Sequence, residues 1–143
     1  MLNIYATLVS FNDKGILFIG ESGSGKSDLA LRMIEEKGAK LVADDRVDVE
    51  VCNGKLIGKS PEKIKNLLEI RNVGIINFDA LDCVEICLCV ELVKDRLTLE
   101  RLPYDEHEVF LGVKIPKIKL FAFDCSTVCK IIVKISSIIN KRW

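Results

Sequence analysis

The sequence predicts one α/β domain, and three neighbouring patterns near the N-terminus carry this prediction. The apolar run "ILFIG" (16–20) leads into a glycine-rich loop, and apolar residues at helical spacing follow that loop. A second buried-strand pattern, "KLVADD" (40–45), comes directly after the helix. An alternation of strands and helices is typical of α/β domains. The length of 143 residues fits a single domain of this class.

The other elements follow from hydrophobic periodicity and turn residues. Up to residue 45 these predict a strand at 2–11, a turn at 12–15, a strand at 16–20, a helix at 27–37 and a strand at 40–45. Beyond residue 45 they predict a hairpin at 47–58, a helix at 60–70 and a strand at 72–78. Two or three further strands are predicted among 84–92, 96–102 and 117–123, and a final helix at 124–140. Gly38 is expected to end the first helix, and Asn53-Gly54 to form the hairpin turn. No linker interrupts the series, so the elements are expected to share one core.

The composition excludes several classes of protein. Apolar residues make up 49% and charged residues 29%, with a formal net charge of zero, so no polyanionic partner such as nucleic acid is indicated. Every apolar run is far shorter than the roughly 20 residues that cross a bilayer, and the N-terminus lacks the basic start of a signal peptide. The six cysteines contain no CxxC pair and are expected to be reduced and mostly buried. We therefore expect a cytoplasmic domain that binds neither nucleic acid nor membrane.

The loop after "ILFIG" carries the strongest chemical motif. It fits the pattern G-x-x-x-x-G-K-[ST] and comprises Gly20, Glu21, Ser22, Gly23, Ser24, Gly25, Lys26 and Ser27. Glycines let backbone N–H groups close around phosphate oxygens, and the helix N-terminus adds the positive end of its dipole. Lys26 would reach the β and γ phosphates, and the Ser27 hydroxyl would be offered to Mg²⁺. The alternative is a glycine-rich turn that binds no ligand.

Two aspartates end the next predicted strand. Asp44 and Asp45 lie where a strand of a parallel sheet borders the ligand crevice, and neighbouring residues point to opposite sides of an extended chain. One carboxylate could hold Mg²⁺ through water while the other takes a proton; the alternative is a solvated turn. Because Asp44 follows Lys26 so closely, its strand comes directly after the helix of the loop. A carboxylate there suits a general base for a hydroxyl acceptor, which favours a kinase.

A third element places Glu69 and Arg71 at the predicted junction of a helix and a strand, in "LLEIRNVGIINF". Catalytic side chains are often displayed at such junctions. The residues alone favour the alternative, a pair of exposed charges.

Three segments taken together resemble a known family. They are "GILFIGESGSGKSDLALRMIEEKGAKLVADDRVDV", "LIGKSPEKIKNLLEIRNVGIINF" and "ERLPYDEHEVFLGVKIPKIKL". In this order they are similar to the catalytic domain of HPr kinase/phosphorylase. Members of that family phosphorylate a serine of the phosphocarrier protein HPr with ATP, and many also remove the phosphate by phosphorolysis, releasing pyrophosphate.

The resemblance also implies an architecture. It indicates a P-loop α/β fold of the HPr kinase and phosphoenolpyruvate carboxykinase type, with a mixed sheet and flanking helices. The chain is similar to a short form of the family, a single catalytic domain over 1–143 without the N-terminal domain of full-length members. Family members are often hexamers and regulate the phosphotransferase system and carbon metabolism.

The same resemblance assigns roles to individual residues. It implies that Gly20 to Ser27 bind ATP and that Ser27 and Glu69 hold Mg²⁺. Asp44 matches the acid/base residue that takes the proton of the substrate serine in the kinase direction. The remaining active-site residues implied by the resemblance are Lys26, Asp45, which would support the metal or the acid, and Arg101, which lies near the position of an active-site arginine.

Two departures from the family pattern concern the phosphorylase reaction. The family usually has a His-Gly pair in the strand before the loop, whereas this chain has Tyr5-Ala6, and a phenol does not titrate near neutrality as an imidazole does. A Pro-Gly-Arg-Asn segment that contributes to phosphorolysis is replaced by "FAFDCSTVCK" (121–130). Kinase activity is therefore the stronger expectation. Two alternatives stay open, a P-loop kinase of a small hydroxylated metabolite and a regulatory ATP-binding module that has lost catalysis.

Overall fold

The computed structural model describes residues 1–62 and 66–140. Within these ranges the chain forms eleven strands, two α-helices and a short 3-10 helix at Arg96–Thr98. The first strands and helix are β1 (Leu2–Tyr5), β2 (Thr7–Phe11), β3 (Lys14–Ile19), α1 (Lys26–Lys37) and β4 (Lys40–Ala43). The next strands are β5 (Arg46–Cys52), β6 (Lys55–Lys59), β7 (Leu67–Ile70) and β8 (Gly74–Asn77). The last elements are β9 (Cys83–Leu92), β10 (Glu106–Phe110), β11 (Val113–Leu120) and α2 (Thr127–Asn140).

A mixed nine-stranded sheet, counted over the described ranges, places four strand ends at one edge. Strand β9 lies in the middle of the sheet. On one side it pairs with the parallel strand β3. On its other side the first residues of β9 pair with β6 and the last residues of β9 pair with β11. Strand β11 is also parallel to β9. Strand β2 lies antiparallel between β3 and β4, so these two strands run in the same direction. The carboxyl ends of β3, β4, β9 and β11 therefore meet at the edge where the glycine-rich loop begins.

Two apolar clusters cover the two faces of this sheet. Helices α1 and α2 pack on one face around Phe18, Leu29, Met33 and Ile131. On the other face Leu17 and neighbouring residues pack against side chains of β1, β5 and β6, which are strands of the same sheet. A fully buried side chain of this size contributes about 1.5–3 kcal/mol. The clusters therefore fix the sheet edge that carries the loop.

Helix α1 forms where the sequence predicts it, because its apolar residues recur on one face. Leu29, Ala30 and Met33 are fully buried on that face. At the other end Gly38 adopts a left-handed conformation with φ of 70°, and its N–H donates to the Ile34 carbonyl at 3.2 Å. The predicted helix end at Gly38 is confirmed.

Several predicted elements differ from the structure. The strand predicted at 2–11 is two strands, because the chain breaks at Ala6, whose N–H donates to the Asp45 carbonyl at 3.2 Å. The helix predicted at 60–70 is wrong over 67–70, which form β7 and pair with β8; residues 63–65 lie outside the described residues. The strand predicted at 96–102 is also wrong, since a 3-10 helix begins there with the Asp95 carboxylate accepting from the Leu97 N–H at 2.9 Å.

The cysteines are more exposed than expected. All six lie within the described residues and are free thiols, but Cys89 alone is buried. Burial raises the pKa of the Cys89 thiol to about 12, so it behaves as a small apolar side chain. The expectation of mostly buried thiols is therefore wrong. Separately, none of the helices formed by the described residues is long and apolar enough to cross a membrane.

Candidate active site

The glycine-rich loop connects β3 to α1 and depends on glycine at two positions. A Cβ on Gly20, whose φ is 150°, would lie 2.8 Å from the Leu92 carbonyl oxygen. A Cβ on Gly25, whose φ is 102°, would lie 2.6 Å from the Ala122 Cβ. Both conformations disfavour larger residues and both sites lack room for them. The loop is therefore held tightly against the ends of β9 and of the segment that follows β11.

Lys26 is nearly buried, at 6% exposure, and is held inside this loop. Its Nζ donates to the carbonyl oxygens of Gly20 at 2.8 Å and Glu21 at 3.0 Å. The ammonium also lies 4.2 Å from the centre of the Tyr5 ring. Two carbonyls and one aromatic face are thus available to the three N–H donors of the ammonium. The cation is fixed at the loop, where phosphates would bind.

Asp44 follows β4 and lies against the first turn of α1. It is 8% exposed, and its Oδ1 accepts hydrogen bonds from Ser27 Oγ at 2.7 Å and Thr7 Oγ1 at 2.9 Å. Burial raises the pKa of the Asp44 carboxyl, and the charge of Asp45 raises it further, while the bonds from Ser27 and Thr7 oppose the shift. The carboxyl is therefore a stronger base than an exposed aspartate.

Asp45 points away from this cluster because the backbone turns sharply there. Its φ is 68°, a left-handed conformation that aspartate tolerates better than most residues, and the Arg46 N–H donates to the Asp44 carbonyl at 2.7 Å. Asp44 is consequently buried while Asp45 is exposed. The two carboxylates do differ in exposure, but a left-handed turn at Asp45 separates them and not the extended chain that the sequence predicted.

Ser24 offers a sign of what the loop can hold. Its hydroxyl is buried and, among the described residues, has no hydrogen-bond partner. It lies in the interior of the loop, 2.6 Å from where a Gly20 Cβ would be. An unpaired buried hydroxyl is costly, by about 1–3 kcal/mol. A phosphate oxygen bound in the loop would accept from it.

A magnesium ion would find oxygen ligands at one place in this cluster. The Ser27 hydroxyl and the Asp44 carboxylate are hydrogen-bonded neighbours, and hydroxyl, carboxylate and phosphate oxygens suit this hard cation. In residues 1–62 and 66–140, this cluster included, no group of three or more His, Cys, Asp or Glu side chains is arranged to hold a metal. The protein would therefore supply only some of the metal ligands, and substrate phosphates would supply others, as is usual for Mg²⁺.

Two residues implied by the family resemblance are not brought into contact with this cluster. Glu69 lies on β7, where alternation buries Leu68 against α1 and exposes Glu69, and it borders an open cleft of about 360 Å³ together with Arg71. Arg101 lies in the exposed loop between the 3-10 helix and β10. Neither makes a hydrogen bond or ion pair with the glycine-rich loop within the part of the chain that the structure describes. Their assigned roles stay predictions.

Some residues at the site were not found by sequence reasoning. Thr7 holds Asp44 from a strand far away in the chain, and a polar residue at the start of a largely apolar strand was the available signal. Arg32 on α1 donates to the Ala122 carbonyl and so ties the helix to the segment after β11. Lys94 pairs with Glu21 at 3.5 Å at the outer rim of the loop. These contacts join β2 to the end of β4, α1 to the segment after β11, and the loop to the segment after β9.

Comparison with known proteins identifies the family. Residues 2–142 match the family described as HPr Serine kinase C-terminal domain. The chain belongs to this family. HPr kinase/phosphorylase of Streptococcus thermophilus is 39% identical over 129 residues, covering 82% of this chain and 41% of that protein. The same enzyme of Clostridium perfringens is 39% identical over 127 residues, with the same coverage.

A solved structure matches the whole fold. The Hpr(Ser) kinase/phosphatase of Coxiella burnetii superposes with a TM-score of 0.84 at 27% identity, covering 99% of each chain. The predicted mixed α/β fold of the HPr kinase type is thereby confirmed. The chain spans about two-fifths of the length of the curated relatives it matches. The activity, substrates and partners of the whole protein are therefore taken up as a proposal.

Proposed function

We propose that this domain is an ATP-dependent serine kinase of the phosphocarrier protein HPr. One observation carries the proposal. The buried carboxylate of Asp44 accepts a hydrogen bond from Ser27, and the preceding residue, Lys26, holds its ammonium inside the glycine-rich loop. Two consecutive residues, Lys26 and Ser27, thus supply a cation for phosphates and a hydroxyl for a metal. Asp44, which follows the neighbouring strand β4, supplies a base for a proton. This is the set of groups that phosphoryl transfer to a hydroxyl requires.

The loop would bind the polyphosphate of ATP. Backbone N–H groups of the loop and the N-terminus of α1 face the phosphates, and the Lys26 ammonium exchanges its carbonyl partners for phosphate oxygens. Ser27 and, as the resemblance implies, Glu69 would hold Mg²⁺. When bound, the metal neutralises negative charge on the β and γ phosphates. The Ser24 hydroxyl gains an acceptor at the same time.

Asp44 would act as the general base. As the substrate serine oxygen bonds to the γ phosphorus, its proton passes to the Asp44 carboxylate, the bond to the β-phosphate oxygen breaks and ADP leaves. The raised pKa of Asp44 favours this step, since a stronger base takes the proton more readily. In the reverse direction the protonated carboxyl returns the proton to the serine oxygen.

The partners follow from the same proposal. HPr is the protein substrate, so the domain would act on the phosphotransferase system and carbon metabolism in the cytoplasm. Association into hexamers is part of the proposal by resemblance to the family. The kinase direction is favoured over phosphorolysis because Tyr5 stands where the family has a histidine and 121–130 replace its Pro-Gly-Arg-Asn segment.

Labelling with radioactive ATP tests the proposal. The protein is incubated with Mg²⁺, γ-labelled ATP and HPr, and label is expected on HPr but not on HPr whose acceptor serine is changed to alanine. Asp44→Asn should lower the transfer rate by about 10²–10⁴-fold while ATP still binds. The matched control is Asp13→Asn, at an exposed turn beyond the opposite end of β3, where asparagine also tolerates the φ of 63°.

Other outcomes would contradict the proposal in different ways. Label on small hydroxylated metabolites alone would indicate a metabolite kinase. Tight ATP binding without transfer to any acceptor would indicate a regulatory module. Label on the Ser→Ala HPr would exclude the proposed acceptor, and full activity of Asp44→Asn would exclude the proposed base.

A further inference from the structure

Tyr5 lies between two cations at the edge of the proposed ATP site. It ends β1, and the residue is 39% exposed. The ring centre is 4.2 Å from Lys26 Nζ and 5.6 Å from the Arg46 guanidinium carbon. Arg46 reaches the ring because Tyr5 and Arg46 are paired residues in the β1–β5 ladder. One aromatic side chain therefore contacts a cation from the loop and a cation from the strand that follows Asp45.

These two cations lack the carboxylate partners that neutralise some other basic residues. In the described part of the chain, Lys117 contacts Glu91 and Glu108, and Lys59 contacts Glu50. Neither Lys26 nor Arg46 forms an ion pair with any described carboxylate. Two like charges repel, and the negative face of an aromatic ring attracts both without cancelling their charge. The arrangement keeps two positive charges available for an anion.

The Tyr5 hydroxyl does not explain the position of the side chain. Among the described residues it has no hydrogen-bond partner, so the contacts of Tyr5 with Lys26 and Arg46 are made by the ring face. A phenylalanine would make the same two contacts. A leucine of similar size would fill the space without a π face.

We propose that Tyr5 is a positioning residue whose ring holds the Lys26 ammonium and the Arg46 guanidinium together, so that both cations meet the terminal phosphates of the nucleotide. The inference rests on the proposed function for the identity of the ligand. It assigns Arg46 as a second phosphate-binding cation. It also gives the tyrosine a role through its ring, in place of the proton chemistry of the histidine found in the family.

Equilibrium binding by the full chain tests the inference with two probes, ATP and inorganic tripolyphosphate, both with Mg²⁺. Tyr5→Leu should weaken both by about 2- to 30-fold, the range that corresponds to a lost cation–π contact. Tyr5→Phe should bind both within twofold of the native protein. Val51→Ala is the control, because Val51 is exposed near the other end of β5 from Arg46, and it should leave both affinities unchanged. Equal losses for both probes are expected because the cations act on phosphates rather than on the base.

A double-mutant cycle tests the part played by Arg46. Arg46→Gln should weaken tripolyphosphate binding in the native background and weaken it less in the Tyr5→Leu background, since the ring that orients Arg46 is then absent. Additive losses would overturn the assignment of Arg46 to this arrangement. Thermal unfolding of each variant separates local effects from misfolding, and the Tyr5→Phe variant keeps the test valid if Tyr5→Leu folds poorly.

Other results would overturn the role of the ring. Unchanged affinity in Tyr5→Leu would do so, and so would an equal loss in Tyr5→Phe, which would assign the effect to the hydroxyl. Failure of the proposed function gives a different pattern. The native protein would then bind tripolyphosphate with the predicted dependence on Tyr5 but transfer no label to HPr.

Discussion

The two halves of the proposed active site are built differently. The first half lies at the carboxyl edge of the sheet and comprises the buried residues Lys26, Thr7 and Asp44 together with the half-buried Ser27. Each of these side chains has a hydrogen-bond partner. The second half lies on the β7–β8 hairpin, with Glu69, and on the loop 99–105, with Arg101, and both are exposed. The hairpin pairs only its own two strands in the described structure, apart from the main sheet.

This difference indicates a division of labour. The groups proposed to meet phosphate and the transferred proton are preorganised by rigid elements, which would favour catalysis because they need little rearrangement. Groups on exposed segments are free to take up their positions when nucleotide, metal or protein substrate binds, as in enzymes that complete their site by loop closure. Substitutions in the first half should therefore act on chemistry and stability together. Substitutions in the second half should act on function alone.

Apart from the loss of transfer in Asp44→Asn, the largest effect is expected at Lys26. Lys26→Met removes the cation that the loop holds in place, and kcat/KM for ATP should fall by about 10²–10³-fold. Lys40→Met, at an exposed position at the start of β4, is the control and should retain activity. Steady-state kinetics with labelled ATP measures the change. A loss smaller than tenfold would mean that the loop N–H groups and Arg46 suffice for the phosphates.

The next largest effect is expected at Glu69, in the exposed half. Glu69→Gln should raise the Mg²⁺ concentration for half-maximal activity by about 10- to 100-fold, as is common when a group at a metal site is changed. Because Glu69 is exposed, the midpoint of thermal unfolding should not change. Glu35→Gln, exposed on α1, is the matched control. An unchanged metal dependence would remove Glu69 from the site.

A smaller effect is expected at Thr7, in the buried half. Thr7→Val removes one of the two hydroxyl bonds that hold the Asp44 carboxylate in position, so activity should fall about tenfold through loss of orientation. The bond stabilises the charged form, so its loss raises the pKa of Asp44 further. The acidic limb of the pH profile of kcat/KM should therefore move to higher pH. Thr7→Ser, which keeps the hydroxyl, should restore both the rate and the profile.

The sequence predicted the buried half well because its signals are local. The loop motif, the helix with its end at Gly38, and the acidic strand end at Asp44 follow each other within a short stretch. The hydrogen bond from Thr7 to Asp44 joins residues 37 apart and is set by the pairing of β2 with β4, which no local pattern contains. The contact of Tyr5 with Lys26 escaped prediction for the same reason.

The exposed half was predicted less well because competing local signals point to different structures. Ser60-Pro61-Glu62 is a typical helix start, and Leu67 and Leu68 fit helical spacing. Yet 67–70 pair with β8 across a turn in which Asn72 has a φ of 72° and Gly74 a φ of 134°. The hairpin partner decided the outcome. The turn signal in "RNVG" indicates that partner more reliably than helical periodicity does.

The smallest effect, and one of opposite sign, is expected for the stability of Asp44→Asn. Burial raises the folded-state pKa of Asp44, so its contribution to stability is fully present below the unfolded value of 3.8 and is lost as pH rises through the folded-state pKa. At pH 7 the native protein therefore keeps a buried charge that asparagine lacks, while asparagine still accepts hydrogen bonds from Ser27 and Thr7.

Asp44→Asn should consequently unfold at a higher temperature than the native protein at pH 7, and the difference should shrink as the pH approaches 4. Differential scanning calorimetry at several pH values measures this, with Asp13→Asn as the control for a change of charge at an exposed site. A variant less stable than the native protein at pH 7 would mean that the two hydroxyl bonds outweigh the cost of burial. Asp44 would then stabilise the fold, and the rigidity of the buried half would not conflict with its chemistry. A gain in stability together with a loss of phosphoryl transfer would instead mean that the buried charge of the proposed base lowers the stability of the fold.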